Sequence, residues 1–142
     1  MKVTNLYKPS EDDEQAAVVD FCNLFGIDVV HVPNEGKRSP ATAAKLKRLG
    51  LRPGVPDLFF PIPSGEYHGL FIEMKAQGGR PTPDQKRWIA KLSAKGYRAT
   101  VCVGADASGR MRRFVKSETI YKRRSEDESE LEKKPRTVKA KD

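Results

Sequence analysis

Two short apolar segments of the chain carry charged residues that a buried strand would normally lack. They are residues 54–60 and residues 69–75. Side chains alternate along a strand, which places Glu73 and Lys75 next to each other on one face of the second segment. Asp57 lies in the first segment, immediately before its apolar run. Gathering carboxylates and an ammonium group at a sheet edge costs desolvation energy, so this pattern indicates a chemical role.

The segment that joins these two strands predicts an antiparallel hairpin, because residues 61–68 are rich in turn formers. An antiparallel pair brings the start of its first strand next to the end of its second strand. Asp57, Glu73 and Lys75 should therefore converge on one patch. Mg²⁺ suits such a patch, since it prefers oxygen ligands, often takes one or two carboxylates, and completes its shell with water and phosphate.

Length and composition favour one domain with a polyanionic partner. A chain of 142 residues is large enough for its own core. The 27 Lys and Arg residues exceed the 19 Asp and Glu residues and give a net charge of +8, which favours nucleic acid. Cys22 and Cys102 lie far apart and are expected to be reduced packing residues. Residues 1–7 lack a signal-peptide core and no run approaches membrane-spanning length, so we expect a cytosolic protein without a membrane partner.

The first predicted helix carries a candidate metal ligand near its start. Ser10 is a typical capping residue, and the helix should run to about residue 25 before Gly26 ends it. Its apolar stripe has helical spacing and consists of Val18, Phe21, Cys22 and Phe25. Glu14 lies four residues before Val18 and extends this stripe. Two interpretations remain open: Glu14 is a metal ligand, or it is a first-turn acid that stabilises the helix dipole.

A basic cluster precedes Asp57. A strand is predicted at residues 27–32, followed by a polar turn and a short helix at residues 41–49. Residues 33–53 contain six cations against one acid: Lys37, Arg38, Lys45, Lys47, Arg48 and Arg52. Contact with the phosphates of a nucleic acid is one interpretation. The alternative is a solvated helix face.

A second helix should begin after the hairpin. Thr82 as N-cap, Pro83 at the first helical position and Gln85 three residues after the cap form a capping box. The helix should run to about residue 95 and bury Trp88, Ile89 and Leu92. Gln85 shares that face, so it could both cap the helix and point towards Lys75.

The last part of the chain divides into a strand, a weak helix and a tail. Residues 97–103 predict the last core strand, and residues 106–120 are weakly helical. From residue 121 onward, eight Lys and Arg residues stand against six acids with few apolar residues. Such a segment buries too little apolar surface to order itself. We therefore predict one folded domain at residues 1–120 and a charged, disordered tail at residues 121–142.

The motifs resemble those of a nuclease family. Pro56-Asp57, with Glu73-Met74-Lys75 following sixteen residues after the aspartate, resembles the PD-(D/E)XK nuclease signature. The surrounding motifs resemble, in order and over roughly residues 11–120, those of the virus-type replication-repair nuclease (VRR-NUC) domain: Asn34-Glu35-Gly36, residues 50–57, residues 69–75, Gln85 with Trp88, and Gly96-Tyr97. The resemblance implies an α/β restriction-endonuclease-like core, with a small mixed sheet flanked by helices.

The resemblance also implies an activity. Members of this family occur in phages and bacteria, and the domain also ends a eukaryotic DNA-repair nuclease. A Mg²⁺-dependent DNA endonuclease is implied, with Mn²⁺ able to substitute, in the cytoplasm of a bacterial or phage-infected cell. Stand-alone members are similar to enzymes that resolve four-way (Holliday) junctions as homodimers. Two alternatives remain: a nuclease for flaps or single-stranded ends, and a non-catalytic module that only binds DNA.

Residue roles follow from chemistry together with this resemblance. Asp57 and Glu73 would hold the metal, the Met74 backbone carbonyl would be a further ligand, and Glu14 would reach the same ion or a second one. Lys75 would orient the attacking water and stabilise the extra negative charge of the transition state. Gln85 would fix Lys75 or the water. The structural alternative for Glu73 and Lys75 is a surface ion pair on an edge strand.

Overall fold

Helices and strands alternate irregularly along the chain. The computed structural model describes residues 8–34, 36–104 and 106–115. In this part of the chain the elements are α1 (Glu11–Phe25), β1 (Val30–His31), α2 (Pro40–Arg48), β2 (Leu58–Phe60), β3 (Leu70–Lys75), α3 (Pro83–Ala94), β4 (Arg98–Val103) and α4 (Asp106–Val115). The predicted tail at 121–142, the end of the predicted last helix beyond 115 and residue 35 lie outside the described residues.

The four strands form one mixed sheet in the order β1-β2-β3-β4. β1 and β2 are antiparallel, as are β2 and β3, whereas β4 runs parallel to β3 after the crossover through α3. Leu58 pairs with Ile72 and Phe60 with Leu70, which confirms the predicted hairpin. The small mixed sheet flanked by helices confirms the predicted fold class.

The hydrophobic core lies between the sheet and two helices, α1 and α4. Its buried members are Leu58, Phe60, Leu70, Ile72, Met74 and Cys102 from the sheet, with Val18, Cys22, Ala107 and Met111 from the helices. Both cysteines are buried and neither is in a disulfide, as predicted. Burial raises the pKa of Cys22 to about 11, so its thiol stays protonated. Phe25, expected on the buried stripe, is 52% exposed, and its ring centre lies 4.5 Å from that of Phe21.

Capping boxes fix where two helices begin. The Ser10 hydroxyl accepts a hydrogen bond from the Asp13 amide at 3.1 Å, and the Asp13 carboxylate accepts one from the Ser10 amide at 2.9 Å. At α3, the Gln85 side-chain oxygen accepts from the Thr82 amide at 2.7 Å. These reciprocal bonds satisfy amide groups that a helix leaves without partners at its start. Both predicted helix starts are confirmed.

A close backbone approach joins the segment before β2 to the start of α3. Gly54 has φ +85°, and a Cβ atom there would lie 2.5 Å from the carbonyl carbon of Asp84. A side chain at this position would therefore force the two segments apart. The approach brings Asp57, three residues after Gly54, next to Gln85 in the first turn of α3. Among the described residues, no helix is long and apolar enough to cross a membrane.

Substituting Gly54 should separate these segments and destabilise the fold. Gly54→Ala adds a steric clash to an unfavourable φ, whereas Gly50→Ala meets only the unfavourable φ, because nothing lies within 4 Å of a Cβ on Gly50. We expect Gly50→Ala to lower the free energy of unfolding by about 1–3 kcal/mol. Gly54→Ala should lower it by about 1–3 kcal/mol more. Urea unfolding followed by circular dichroism measures both; equal losses would show that the close approach has no energetic weight.

Candidate active site

Three acidic side chains from separate elements meet at the end of β3. Glu11 of α1, Asp57 before β2 and Glu73 of β3 each offer a carboxylate oxygen, and these oxygens all lie within 4.8 Å of one another. The Lys75 Nζ atom lies 2.9 Å from Glu73 Oε1 and 3.7 Å from Glu11 Oε1. The structure thus brings together Asp57, Glu73 and Lys75, and it adds Glu11.

These charged side chains are buried to a degree that surface ion pairs are not. Glu73 is 0% exposed, Asp57 6% and Lys75 8%. β3 has neighbours on both sides, β2 and β4, so it is a central strand. The alternative of a surface ion pair on an edge strand is therefore wrong. Because buried charges are costly unless paired or bound to a ligand, the cluster is held by the surrounding fold at the expense of stability.

The backbone of β3 holds Asp57 in place. Asp57 Oδ2 accepts a hydrogen bond from the Met74 amide at 2.8 Å. The amide and carbonyl groups of one strand residue face the same edge of the strand. The Met74 carbonyl therefore also faces the side on which Asp57 lies, beyond the last residue of β3 that pairs with β2, Ile72.

Glu73 has one occupied oxygen and one without a partner. Glu73 Oε1 accepts hydrogen bonds from Gln85 Nε2 at 2.5 Å and from Lys75. Glu73 Oε2 is buried and has no hydrogen-bond partner among the described residues. A buried carboxylate oxygen without a donor is strongly unfavourable in isolation, whereas it is a good ligand for a hard cation. The residues present therefore fit a divalent metal ion.

The electrostatics of the cluster also favour a bound cation. The pKa of Glu73 is raised to about 7, chiefly by burial; the hydrogen bond and charge of Lys75 oppose the rise, and the negative charges of Asp57 and Glu11 contribute to it. Two of the three carboxylates, those of Glu73 and Glu11, form ion pairs with the Lys75 ammonium group. A divalent ion would relieve the repulsion among them and stabilise the ionised form of Glu73.

α1 supplies Glu11 to the carboxylate cluster rather than Glu14. Glu14 lies one turn further along α1, where its Oε1 would be 3.6 Å from a Cβ atom on Gly104. It is half-buried beside the turn that follows β4. Sequence reasoning missed Glu11. A signal was present, since Glu11 lies seven residues before Val18 and therefore shares its helix face. The metal-binding role of Glu14 stays a prediction.

Gln85 occupies the position expected of it but contacts a different partner. Its side-chain oxygen caps α3 through the Thr82 amide. Its amide nitrogen donates to Glu73 Oε1 rather than to Lys75. One buried side chain thus links the start of α3 to the carboxylate cluster, and capping and site roles coexist.

The predicted basic residues lie on and beside α2. Lys45, Lys47 and Arg48 fall in the last turn of α2 and are exposed, where they complement the negative end of the helix dipole. Arg52 donates hydrogen bonds to the backbone carbonyls of Lys47 and Leu51 at 3.0 and 3.1 Å. The other two cations are Lys37, which is exposed, and Arg38, which is half-buried. Their contacts with nucleic acid stay a prediction.

A mixed four-stranded sheet with flanking helices, which holds carboxylates and a lysine at one end of its central strands, defines an α/β nuclease core. The chain belongs to the VRR-NUC domain family, whose model matches residues 10–106. A relative named "Putative nuclease p44", from Acyrthosiphon pisum secondary endosymbiont phage 1, is 37% identical over 78 residues, covering 55% of this chain and 81% of the relative. A solved structure named "VRR_NUC domain protein" superposes with a TM-score of 0.66 at 33% identity, over 78% of this chain and 91% of the other. The family and the named relative support nuclease activity, and the cluster of Glu11, Asp57 and Glu73 suggests that the protein binds a divalent metal ion.

Divalent-metal binding should strengthen with pH. A metal ligand must be deprotonated, and the pKa of Glu73 is about 7, so a proton competes with the ion below that pH. The apparent affinity should rise by about tenfold per pH unit up to pH 7 and level off above it. Isothermal titration calorimetry with Mn²⁺ between pH 5.5 and 8.5 measures this. Affinity that does not change with pH would contradict a role for Glu73 as ligand.

The two acids of the first turn of α1 should differ in their effect on metal binding. Glu11→Gln removes an oxygen of the cluster, whereas Asp12→Asn changes an exposed acid of the same turn that lies outside it. Mutation of a group that only supports a metal ligand typically lowers metal affinity about 10- to 100-fold. We therefore expect a loss of at least this size for Glu11→Gln, which removes a ligand, and none for Asp12→Asn. Glu14→Gln in the same titration tests the predicted ligand. Equal affinities for Glu11→Gln and Asp12→Asn would remove Glu11 from the site.

Proposed function

We propose that the protein is a Mg²⁺-dependent DNA endonuclease that hydrolyses phosphodiester bonds at branched DNA, with four-way junctions as its preferred substrate and a homodimer as its active form. One observation carries the proposal: Glu73 is buried with Oε2 unpartnered while Asp57 and Lys75 flank it. A purely structural pair would leave no oxygen of a buried carboxylate without a donor. The arrangement suits a metal ion and an electrophilic group together.

Oxygen donors from four residues would hold the metal. Asp57, Glu73 and Glu11 supply carboxylates, the Met74 carbonyl faces the same side, and Glu14 is a further candidate. An all-oxygen set favours hard ions such as Mg²⁺, and Mn²⁺ accepts the same donors. The bound ion would supply an activated water and neutralise charge on the scissile phosphate.

The protein's own residues prepare the site for an anionic substrate. Lys75 is held against Glu73 with its side chain 9% exposed, so its charge is fixed in position and poorly screened by water. This charge would stabilise the negative charge that develops on the phosphate as the bond breaks. Gln85 keeps Glu73 Oε1 occupied, which would leave Oε2 to hold a metal ion.

The overall charge supports a DNA substrate. A net charge of +8 attracts a polyanion, and the exposed cations in the last turn of α2 offer phosphate contacts that do not depend on base sequence. The phage origin of the named relative supports action in the cytoplasm of a bacterial or phage-infected cell.

The substrate and the dimer are proposed together. Resolving a four-way junction takes two symmetric cuts, and the described residues contain one carboxylate cluster. Two copies related by a two-fold axis would place one site at each cut. The resemblance to stand-alone junction-resolving members of the family supports this choice.

Cleavage should depend on Lys75 without a matching loss of DNA binding. Lys75→Ala removes a charge that acts on the transition state, so the cleavage rate should fall by about 100- to 1,000-fold. Asp57→Asn and Glu73→Gln should also abolish cleavage, whereas Lys86→Ala, an exposed lysine of α3, should not. The assay compares a labelled four-way junction with linear duplex and a 5′ flap, in Mg²⁺, in Mn²⁺ and in EDTA.

Each outcome of that assay has a distinct meaning. Paired symmetric nicks on the junction, absent in EDTA, support the proposal. Cutting mainly at the flap would support the proposed active site but show that flaps, not four-way junctions, are the preferred substrate. A protein that is monomeric by light scattering at assay concentration would contradict the proposed homodimer and its paired cuts. If the protein binds DNA but cleaves none of the substrates with either metal, the nuclease proposal is wrong and the alternative of a non-catalytic DNA-binding module is supported.

A further inference from the structure

A groove made of two neighbouring cavities lies along the start of α3, and its inner part reaches Asp57 of the carboxylate cluster. Its inner part has a volume of about 270 Å³ and is lined by residues that include Asp57, Gln85 and Asn34. Its outer part has a volume of about 480 Å³ and contains Trp88. Pro53 and Asp84 line both parts, so the two parts are direct neighbours.

The outer part of the groove combines an aromatic ring with positive charge. Trp88 is half-buried, and the Lys91 Nζ atom lies 4.8 Å from the centre of its ring. Arg52, Arg87 and Lys91 also line this part, against the single carboxylate of Asp84. Arg87 forms an ion pair with Asp84, so the lining retains an excess of positive charge.

The inner part offers an unused hydrogen-bond acceptor. Asn34 Nδ2 donates to the Val55 carbonyl at 2.7 Å, which fixes the orientation of the amide. Asn34 Oδ1 is then buried with no hydrogen-bond partner among the described residues. A buried acceptor without a donor is unfavourable and is relieved by a ligand that brings an N–H group.

We propose that this groove binds an unpaired nucleotide of the DNA strand that is cut, with its base stacked on Trp88 and its phosphates on the surrounding cations. Trp88 follows Gln85 by three residues on α3, which places their Cβ atoms about 5–6 Å apart. The volume of the outer part lies within the range of about 300–1,000 Å³ typical of small-ligand sites.

The occupant is unpaired because a base within a duplex has both faces covered by its neighbours. An aromatic platform beside a basic groove is the usual arrangement for single-stranded nucleic acid, and stacking tolerates any base. Lys91 is exposed and on the rim, so it can leave the ring for a phosphate when a base arrives. This inference rests on the proposed function and adds to it that a nucleotide next to the cut becomes unpaired at the branch point when the DNA binds.

A second basic cavity is the rival location for the strand. It has a volume of about 460 Å³ and is lined by residues that include Arg98, Arg110 and Arg113. Leu70, at the opposite end of β3 from Lys75, also lines it. It shares no lining residue with the groove, so it serves as a comparison in the experiment.

Trp88 is the only tryptophan of the chain, so the intrinsic tryptophan fluorescence reports on this position alone. Intrinsic fluorescence is measured while a single-stranded DNA oligonucleotide is added in EDTA, and again with an abasic oligonucleotide of equal length. The abasic strand presents the same phosphates but has no bases to stack. We expect quenching by the first strand and little by the second; equal quenching by both would overturn the proposal.

Variants test the same contacts by anisotropy of a labelled single strand. Trp88→Leu should weaken binding by about tenfold or more, because base–aromatic stacking is lost, and Trp88→Phe should retain most of the affinity. Lys91→Gln should weaken binding more than Lys86→Gln, which changes an exposed lysine of α3 that does not line the groove. Thermal melting establishes that each variant is folded. Unchanged affinity in folded Trp88→Leu, or a loss confined to Arg110→Gln, would overturn the proposal.

The two proposals fail in distinguishable ways. Junction cleavage without base-dependent quenching would retain the nuclease and remove this subsite. Base-dependent quenching in a protein that cleaves no DNA would retain the subsite and remove the nuclease. If both hold, Trp88→Leu should slow junction cleavage while Lys86→Gln does not.

Discussion

The structure depends on a glutamate carboxylate buried within a central strand. Glu73 is fully enclosed, and its charge is balanced only in part by Lys75 and Gln85. A hydrophobic side chain there would stabilise the fold more, because desolvating a carboxylate usually outweighs what its partners return. The chain therefore retains a local destabilisation, and the elements around β3 are arranged to make that carboxylate available to a ligand.

Each side chain at the site is positioned by backbone hydrogen bonds near the end of an element. The capping box at Ser10 sets where α1 starts and hence where Glu11 lies, and the box at Thr82 does the same for Gln85. The Met74 amide holds Asp57. Sites anchored in this way are more rigid than sites on loops, which is what the geometry of metal ligands and of stacking surfaces requires.

The sequence was sufficient for the elements and for the core of the site, and insufficient for contacts between elements that are distant along the chain. Alternation in β3 and the turn-rich link predicted that Asp57, Glu73 and Lys75 would meet, because that geometry is local. Helical periodicity predicted which face of α1 turns inward, but not which turn lies over the end of β3, so Glu14 was singled out and Glu11 missed. The groove beside Trp88 depends on how closely the segment at Gly54 approaches α3, which no periodic pattern encodes.

The spacing of the three carboxylates along the chain has a consequence for the order in which the protein folds. Asp57 and Glu73 are sixteen residues apart and joined by a hairpin, whereas Glu11 lies 46 residues before Asp57. Local contacts form before distant ones, because a long loop costs more entropy to close. The carboxylates of the hairpin should therefore gather first, and Glu11 should arrive only when α1 docks and covers the core. Closing the core and completing the ligand set would then be one event, so that a divalent ion acts thermodynamically as a ligand of the native state alone.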